Sequence, residues 1–457
     1  MAKLCVVNVV GLTPGMIGED TPYLRKIGGV VRGMKGVLPA VTTTAQASLL
    51  TGKTAAGHGI VGNGWLFRET GEVRFWLQSN RLMDGEPLYV TARKMAEERG
   101  EKFTCAKLFW WYNQGAAVDF SVTPKPHYGA DGSKQFGIHG TPDDLPVRLE
   151  QKLGAFPFHT FWGPMAGLPC SEWIALAAAE VLRVEQPTLT LVYLPHLDYD
   201  LQRFGPTAEV VKRCVREVDR AVGVVTEAAE KVGAVVAVVS EYGLTEVNRP
   251  VYVNRVLRKA GWLSVRSGPF GEVMDTFNCR ALAVTDHQVA HVYIPNADDI
   301  APVAELLKAT PGVAEVLDRE AQAEYGLNHA RSGELVLFSE REAWFAYPYW
   351  LDDRLAPDFA RTVDIHRKPG YDPCELFLDP KLSFPKLRLA RRLAAKKLGF
   401  RYLMDVIPLD ASLVRGSHGL PAKDEQSGPV FLSNDDTPPP QSITDFKAWA
   451  LQVLGKG

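Results

Sequence analysis

The stretch from Pro39 to Gly52 carries the clearest chemistry in this sequence. It reads Pro-Ala-Val-Thr-Thr-Thr-Ala-Gln-Ala-Ser-Leu-Leu-Thr-Gly, which predicts a loop ending at Thr44 and a small-residue helix from Ala45 to Thr51. A hydroxyl at a helix N-terminus lies beside free backbone N–H groups and the positive end of the helix dipole. Such a hydroxyl is placed to attack a phosphoryl group. Helix capping by threonine is the structural alternative.

Carboxylates and an imidazole follow two apolar runs of the sequence. They are His196, Asp198 and Asp200 after the run 189–194, and Glu241, beside Tyr242, after the run 234–239. Such groups at the end of a strand suit a divalent metal. The alternatives are turn capping by the aspartates, pairing of Glu241 with an arginine, and ring packing by Tyr242.

The elements that must position these residues are strands alternating with helices. Residues 4–10, 189–194 and 234–239 are predicted as buried strands, and Ser171 to Val184 (with Ser171 as N-cap) and Ala208 to Lys231 as helices. This alternation predicts an α/β fold with a mostly parallel central sheet and helices on both faces. Ligands of such sheets bind at the carboxyl ends of the strands. Asn8 lies inside the first strand, and the cost of burying an unpaired amide predicts a partner for it.

A second, smaller unit is predicted within the chain. Short strands and a helix between residues 267 and 345 suggest an inserted α+β cap, which leaves residues 1–266 and 346–457 as the α/β core. Asp286, His287 and His291 fall in this cap, where we expect structural roles.

Composition bounds the class of protein. The 457 residues are 46% hydrophobic and 23% charged, as in soluble globular proteins. A net charge of −2 gives no electrostatic case for nucleic acid, and no apolar run reaches the length of a membrane span. The six cysteines lack a CxxC pair and are expected to be reduced core thiols. We therefore expect a cytoplasmic protein.

The segment from Pro39 to Asn63, which ends in His58-Gly-Ile-Val-Gly-Asn63, resembles a known nucleophile region. It is similar to that of the nucleotide pyrophosphatase/phosphodiesterase branch of the alkaline phosphatase superfamily. The resemblance implies an alkaline phosphatase-like fold and a covalent intermediate on Thr42. A family asparagine falls on Ala45, so Gln46 is expected to replace it in substrate binding, together with Asn63.

The resemblance extends through the metal motifs of the family. It implies metal ligands at Asp198, Glu241 and His418, the last within Arg415-Gly-Ser-His-Gly-Leu-Pro421. Val10, Gln202 and Tyr242 stand where the family has an aspartate and two histidines. The resulting oxygen-rich set favours one Mg²⁺ or Mn²⁺ over two Zn²⁺ ions, with the identity and number of the metals open.

Several other residues are weaker candidates. Asn8, Gln202 and Tyr242, with Asp364 and His366 on one face of a predicted strand, are possible additional site residues. The aromatic run from Phe109 to Tyr112 is expected to be core packing, with a base or ring pocket as the alternative. The helix predicted from Lys386 to Arg401 carries seven lysine or arginine residues, typical of a solvated face or a contact with an anionic partner.

Together these observations predict a metal-dependent hydrolase of phosphodiesters, pyrophosphates or related phosphate esters. Its partner is a small-molecule phosphate ester, and neither nucleic acid nor a membrane span is expected. Two alternatives remain open. A degenerate family member would bind a ligand or partner without hydrolysis, and a transferase would pass the phosphoryl group to an acceptor other than water.

Overall fold

The computed structural model describes residues 1–28, 31–130, 133–384, 391–392, 394 and 403–456. The basic helix predicted from Lys386 to Arg401 lies almost entirely outside these residues.

The described residues form short strands and helices that alternate along much of the chain. The strands are β1 Lys3–Val9, β2 Arg32–Gly33, β3 Gly64–Phe67, β4 Glu72–Phe75, β5 Cys105–Leu108, β6 Phe120–Pro124, β7 His127–Tyr128, β8 Lys134–Gln135, β9 Ile138–Thr141, β10 Leu189–Leu194, β11 Ala234–Val239, β12 Thr245–Glu246, β13 Arg249–Val251, β14 Val265–Gly268, β15 Gly271–Met274, β16 Leu282–Asp286, β17 Val289–Tyr293, β18 Val313–Leu317, β19 Leu335–Ser339, β20 Ala343–Phe345, β21 Gly416–Ser417 and β22 Val430–Ser433. The α-helices are α1 Pro22–Lys26, α2 Thr42–Thr51, α3 Ala55–His58, α4 Leu88–Glu98, α5 Leu145–Leu153, α6 Leu168–Glu185, α7 His196–Phe204, α8 Glu209–Lys231, α9 Val253–Lys259, α10 Ile300–Lys308, α11 Arg319–Glu324 and α12 Phe446–Gly455.

The central sheet has eight strands in the order β2-β22-β11-β1-β10-β5-β6-β9. The pairings β11-β1, β1-β10, β10-β5 and β5-β6 are parallel, whereas β2, β22 and β9 pair antiparallel at the two edges. Helices α6 and α8 pack on each other and on the central strands, while α12 contacts β1, α2 and α4. The predicted α/β fold with a mostly parallel sheet is confirmed.

The sequence predicted the bounds of the central strands correctly, but it misplaced the first residue of two helices. Strands β10 and β11 have the predicted bounds. Helix α6 begins at Leu168, so Ser171 is not its N-cap, and the Ser171 hydroxyl instead accepts a hydrogen bond from the His196 backbone at 3.1 Å. Helix α2 begins at Thr42 rather than Ala45, because Val41 already supplies the extended residue that precedes the first turn.

A second sheet lies within the predicted cap. It has four antiparallel strands in the order β16-β17-β19-β18, accompanied by α10 and α11. Its hydrophobic cluster includes Ala47, Ile60 and Val61 from the first part of the chain. The division into a core and a cap at residues 267–345 stays a prediction, since the second sheet shares its packing with the region of α2.

The segment from Asp364 to Asp372 is a loop, so the strand predicted for Asp364 and His366 is wrong. Lys368 holds this loop from inside. Its buried Nζ lies 2.7 Å from a carboxylate oxygen of Asp372 and 2.7 Å from one of Glu375. Local ion pairing therefore replaces sheet pairing here.

The cysteines and the helices of the described residues bear on two expectations drawn from composition. All six cysteines are free and buried. Among the helices of the described part of the chain, none has both the length and the apolar character that crossing a bilayer requires.

Replacing Lys368 by methionine tests the role of this ion cluster in the fold. Lys368→Met leaves two buried carboxylates without their cation, and we expect it to lower the free energy of unfolding by about 3–5 kcal/mol. Lys308→Ala, which removes an exposed pair with Glu305, is the control and should cost less than about 1 kcal/mol. Urea unfolding followed by circular dichroism measures both, and equal losses would contradict this assignment.

Candidate active site

The polar residues predicted to act together lie where β1, β10 and β11 end. Gly11 follows β1 with a φ of +79°, and a Cβ there would lie 2.8 Å from a methyl carbon of Leu201 in α7. Glycine is therefore required at this turn, because a side chain would strain the backbone and displace the helix that carries Asp198.

A cavity of about 300 Å³ opens beside these strand ends. Its floor is polar, and its walls are mostly aromatic. The floor residues are Thr42, Tyr193, Asp198, Gln202, Tyr242, His287, Tyr371 and His418, and the aromatic walls comprise Trp76, Trp111, Tyr128, Phe136, Phe158, Phe161, Trp162 and Tyr199. Lys125 and Lys134 are the lysines that line it, and the adjoining Tyr128 is 65% exposed, which places this end at the mouth.

Of the three consecutive threonines, Thr42 faces the cavity. The hydroxyls of Thr43 and Thr44 donate to the carbonyls of Gly62 and Ile60, at 2.8 and 2.9 Å. Thr42 is the first residue of α2, and its Oγ1 lies 3.0 Å from the hydroxyl oxygen of Tyr242. Because Val41 is the N-cap and makes no side-chain cap bond, capping does not account for Thr42.

Asp198 lies in the first turn of α7, and Gln202 follows one turn later. Gln202 donates from Nε2 to Asp198 Oδ2 at 2.7 Å, and its Oε1 accepts from the Tyr371 hydroxyl at 2.8 Å. The Tyr242 hydroxyl donates to Asp198 Oδ1 over 3.5 Å, a long contact. Burial raises the pKa of Asp198 to about 7, against the hydrogen bonds from Gln202 and Tyr242 that lower it.

Glu241 is fully buried below the cavity floor. Its Oε1 accepts from Asn8 Nδ2 at 2.6 Å and from Gln46 Nε2 at 2.7 Å, while Glu241 Oε2 and Asn8 Oδ1 have no hydrogen-bond partner. Burial raises the pKa of Glu241 to about 8. The partner predicted for Asn8 is thus Glu241. Gln46 also accepts from the Trp111 backbone at 2.8 Å and does not line the cavity, so it supports the site from behind.

His418 lies on the floor as a neutral imidazole. Its Nδ1 lies 2.8 Å from the Ala40 carbonyl, which can only accept, so Nδ1 carries the proton. Burial lowers the pKa of His418 to about 3. Its ring stacks on Tyr242 at 3.7 Å and contacts His287 at 3.6 Å, and His287 stacks on Tyr371 at 3.8 Å. Four rings from distant parts of the chain thus form one column.

The remaining candidates separate into one cavity residue and two supporting ones. His366 lines the cavity and lies 3.3 Å from the Phe75 carbonyl through Nδ1. Asp364 does not line it and pairs with Arg367 at 3.3 Å. Asn63 accepts from the Thr43 backbone at 3.1 Å and donates to Asp286 at 3.0 Å, also away from the cavity. Asn63 therefore fixes the start of α2.

The residues at the metal positions of the family do not fit a pair of metal ions. In the described part of the chain, one group of three His, Cys, Asp or Glu side chains has its ligand atoms within 4.8 Å of one another. That group is His196, Cys214 and Glu217, not the predicted set of Asp198, Glu241 and His418. Amide N–H groups already occupy oxygens of both carboxylates. The predicted metal set is therefore not brought together as a coordination site.

Sequence reasoning missed three floor residues, Tyr193, Tyr371 and His287. Tyr371 lies in the polar segment that ends at Asp372, but its partner Gln202 is 169 residues away. His287 was expected to be structural, and its ring lies against His418 on the floor. An unusual density of His and Tyr at loop ends is the signal that Tyr371 and His287 share.

A family model for type I phosphodiesterase / nucleotide pyrophosphatase matches residues 4–372. Ectonucleotide pyrophosphatase/phosphodiesterase family member 1 of Mus musculus is 22% identical over 279 residues, which cover 57% of this chain and 26% of the relative. The chain thus spans about a quarter of the length of the curated relatives it matches.

Solved structures share the fold. Phosphonoacetate hydrolase from Sinorhizobium meliloti 1021, in complex with phosphonoformate, superposes with a TM-score of 0.61 at 17% identity, over 99% of this chain and 96% of that one. Murine ectonucleotide pyrophosphatase/phosphodiesterase 5 gives a TM-score of 0.59 at 15% identity, over 99% and 95% of the two chains.

The family predicted from the nucleophile region is confirmed by the family model. Members of the family generally depend on divalent metal ions, a property that the residues of this site do not reproduce. With the match covering most of its length, the chain belongs to the type I phosphodiesterase / nucleotide pyrophosphatase family of hydrolases.

Proposed function

We propose that this chain hydrolyses phosphate esters, in particular phosphodiesters or pyrophosphates, with Thr42 as the nucleophile. The observation that carries the proposal is the position of the Thr42 hydroxyl, at the first residue of a buried ten-residue helix and on the floor of the cavity. Membership of the family and the hydrolase and pyrophosphatase names of its relatives support it.

The N-terminus of α2 supplies favourable electrostatics for a phosphoryl group. The first N–H groups of a helix have no partner within the helix and carry the positive end of its dipole. Negative charge that develops on phosphoryl oxygens next to Thr42 is stabilised there. Thr42 and the N-terminus of α2 are thus both directed to the phosphoryl group of the substrate.

The Thr42 proton has a defined route. The Tyr242 oxygen takes the proton of Thr42 as the hydroxyl proton of Tyr242 passes to Asp198. Thr42 Oγ1 then bonds to phosphorus, the bond from phosphorus to the leaving oxygen breaks, and that oxygen leaves with the electron pair. In the second step a water oxygen bonds to phosphorus, and the proton that it releases goes to the alkoxide or aryloxide freed in the first step. Asp198 returns its proton through Tyr242 to Thr42 as the phosphorus–Oγ1 bond breaks.

The aromatic walls indicate an ester with a planar or apolar organic group. Trp76 and Trp111 lie 4.9 Å apart between ring centroids, and Phe136 stacks on Phe158 at 4.5 Å. Aromatic faces bind planar groups by stacking. The Trp111 side chain thus takes the pocket role left open for the run from Phe109 to Tyr112, while Phe109 and Trp110 pack in the core.

Two other functions predicted from the sequence compete with hydrolysis. Binding without chemistry is favoured by the amides that already donate to one oxygen of each carboxylate. Transfer of the phosphoryl group to another acceptor uses the same first step.

The six free cysteines support the predicted cytoplasmic location, which stays a prediction.

Removing the Thr42 hydroxyl tests the proposal directly. Thr42→Ala should lower kcat/KM for bis(4-nitrophenyl) phosphate by at least about a thousandfold, because no nucleophile remains. Intact-mass spectrometry of the quenched wild-type reaction should show a phosphoryl adduct that the variant lacks. Glycerol added to the reaction distinguishes a hydrolase from a transferase. A transferase forms a phosphoryl ester of glycerol, whereas a hydrolase transfers the phosphoryl group to water.

Thr44→Ala is the matched control for Thr42→Ala. It removes a hydroxyl from the same helix that binds the Ile60 carbonyl and does not line the cavity, so activity should be retained. Full activity in Thr42→Ala would overturn the proposed function.

Shortening a wall residue tests the preference for aromatic esters. Phe136→Ala should raise KM for an aryl ester by about 2–10-fold with little change in kcat, because stacking is lost in both ground and transition states. Phe277→Ala removes an exposed phenyl group that does not line the cavity and is the control. An unchanged KM in Phe136→Ala would show that substrate does not reach this wall.

A further inference from the structure

We infer that the floor of this cavity carries neutral hydrogen-bond donors where related enzymes carry metal ions, so that this hydrolase works without a bound metal. The inference builds on the proposed hydrolysis at Thr42. The groups that would replace the cations are the side chains that donate hydrogen bonds to the carboxylates of Asp198 and Glu241.

The Asp198 half of the site is closed by an amide. A carboxylate only accepts hydrogen bonds, so the Gln202 side chain must turn its Nε2 toward Asp198 Oδ2, 2.7 Å away. Tyr371 fixes this orientation by donating to Gln202 Oε1 at 2.8 Å. A cation bound to Asp198 Oδ2 would displace the amide and leave its N–H groups buried without an acceptor.

The Glu241 half of the site is closed by two amides. Asn8 Nδ2 and Gln46 Nε2 both donate to Glu241 Oε1, at 2.6 and 2.7 Å. Gln46 is held in turn by the Trp111 backbone, which donates to its Oε1 at 2.8 Å. Two residues from different elements, Asn8 in β1 and Gln46 in α2, thus donate to one oxygen of Glu241, and a cation bound to that oxygen would have to displace both amides.

Two further positions lack a suitable metal ligand. Val10 is buried and has no donor atom where the family has an aspartate. The Tyr242 ring stacks on His418, and its hydroxyl oxygen lies 3.0 Å from Thr42 Oγ1. Tyr242 therefore supplies a hydroxyl beside the nucleophile at a position where the family has a metal-binding histidine.

The oxygen atoms left over do not rebuild the metal pair. Glu241 Oε2 and Asn8 Oδ1 are buried without partners below the floor, and Glu241 itself does not line the cavity. Asp198 and His418 line the cavity but form no three-ligand group with Glu241. Because these atoms include free carboxylate oxygen, the experiment must ask whether any metal binds there.

Metal content of tag-free wild-type protein tests the inference without reference to activity. Inductively coupled plasma mass spectrometry after incubation with Zn²⁺, Mn²⁺ or Mg²⁺ and gel filtration should find less than about one ion per ten chains. Hydrolysis of bis(4-nitrophenyl) phosphate should change less than about twofold after treatment with EDTA.

Restoring the family ligands provides the converse experiment. The triple variant Val10→Asp, Gln202→His and Tyr242→His should gain near-stoichiometric Zn²⁺, because imidazole and carboxylate then replace the amide, phenol and methyl groups. Circular dichroism checks its folding. If the variant does not fold, the measurement on wild-type protein still decides.

Near-stoichiometric metal in wild-type protein that Asp198→Asn or Glu241→Gln removes would overturn the inference. Loss of activity with EDTA and its recovery with Zn²⁺ would do the same. Metal that only Cys214→Ser removes, with activity unchanged, lies at the His196, Cys214 and Glu217 group and leaves the inference supported. Failure of the proposed function is distinct, because it appears as activity retained in Thr42→Ala.

Discussion

Two buried carboxylates, Asp198 and Glu241, impose the strictest constraint on this molecule. Asp198 follows the end of β10 and Glu241 follows the end of β11, the two parallel strands that flank β1 in the sheet. Burial without a partner would be costly, and the chain meets that cost with side-chain amides from Asn8, Gln46 and Gln202. The bonds of Glu241 thereby fix β1 and α2 against the end of β11, whereas the bond from Gln202 to Asp198 lies within α7.

Residues farther from the two carboxylates hold their hydrogen-bond partners in place. The loop that carries Tyr371 is fixed by Lys368 between two carboxylates, and Tyr371 in turn orients Gln202. His287 comes from the second sheet and closes the ring column between His418 and Tyr371. The cavity floor is therefore assembled from both sheets, and the hydroxyl of Thr42 faces Tyr242, which is hydrogen-bonded in turn to Asp198.

The sequence predicted the main sheet and the nucleophile segment because both leave local signals. Nearly continuous apolar runs predicted β10 and β11 with their observed bounds. The family resemblance identified Thr42 as the candidate nucleophile. The start of α2 was predicted three residues too late, because three consecutive threonines are typical of a loop. In the structure Val41 is the extended residue before the helix, so the threonines form its first turn. Gln46 and Asn63 do not line the cavity, because each side chain is directed to a buried carboxylate far away in sequence, Glu241 or Asp286. Their substrate contacts stay a prediction. Tyr371 was missed because its partner is likewise distant in sequence.

The central claim is that a family of hydrolases has here a member whose floor is held by hydrogen-bond donors instead of metal ions. The most direct measurement is the metal content of wild-type protein, taken together with its hydrolysis of bis(4-nitrophenyl) phosphate after treatment with EDTA. The account predicts substoichiometric metal and activity within about twofold of the untreated enzyme. One or more tightly bound ions, lost in Asp198→Asn together with activity, would contradict it.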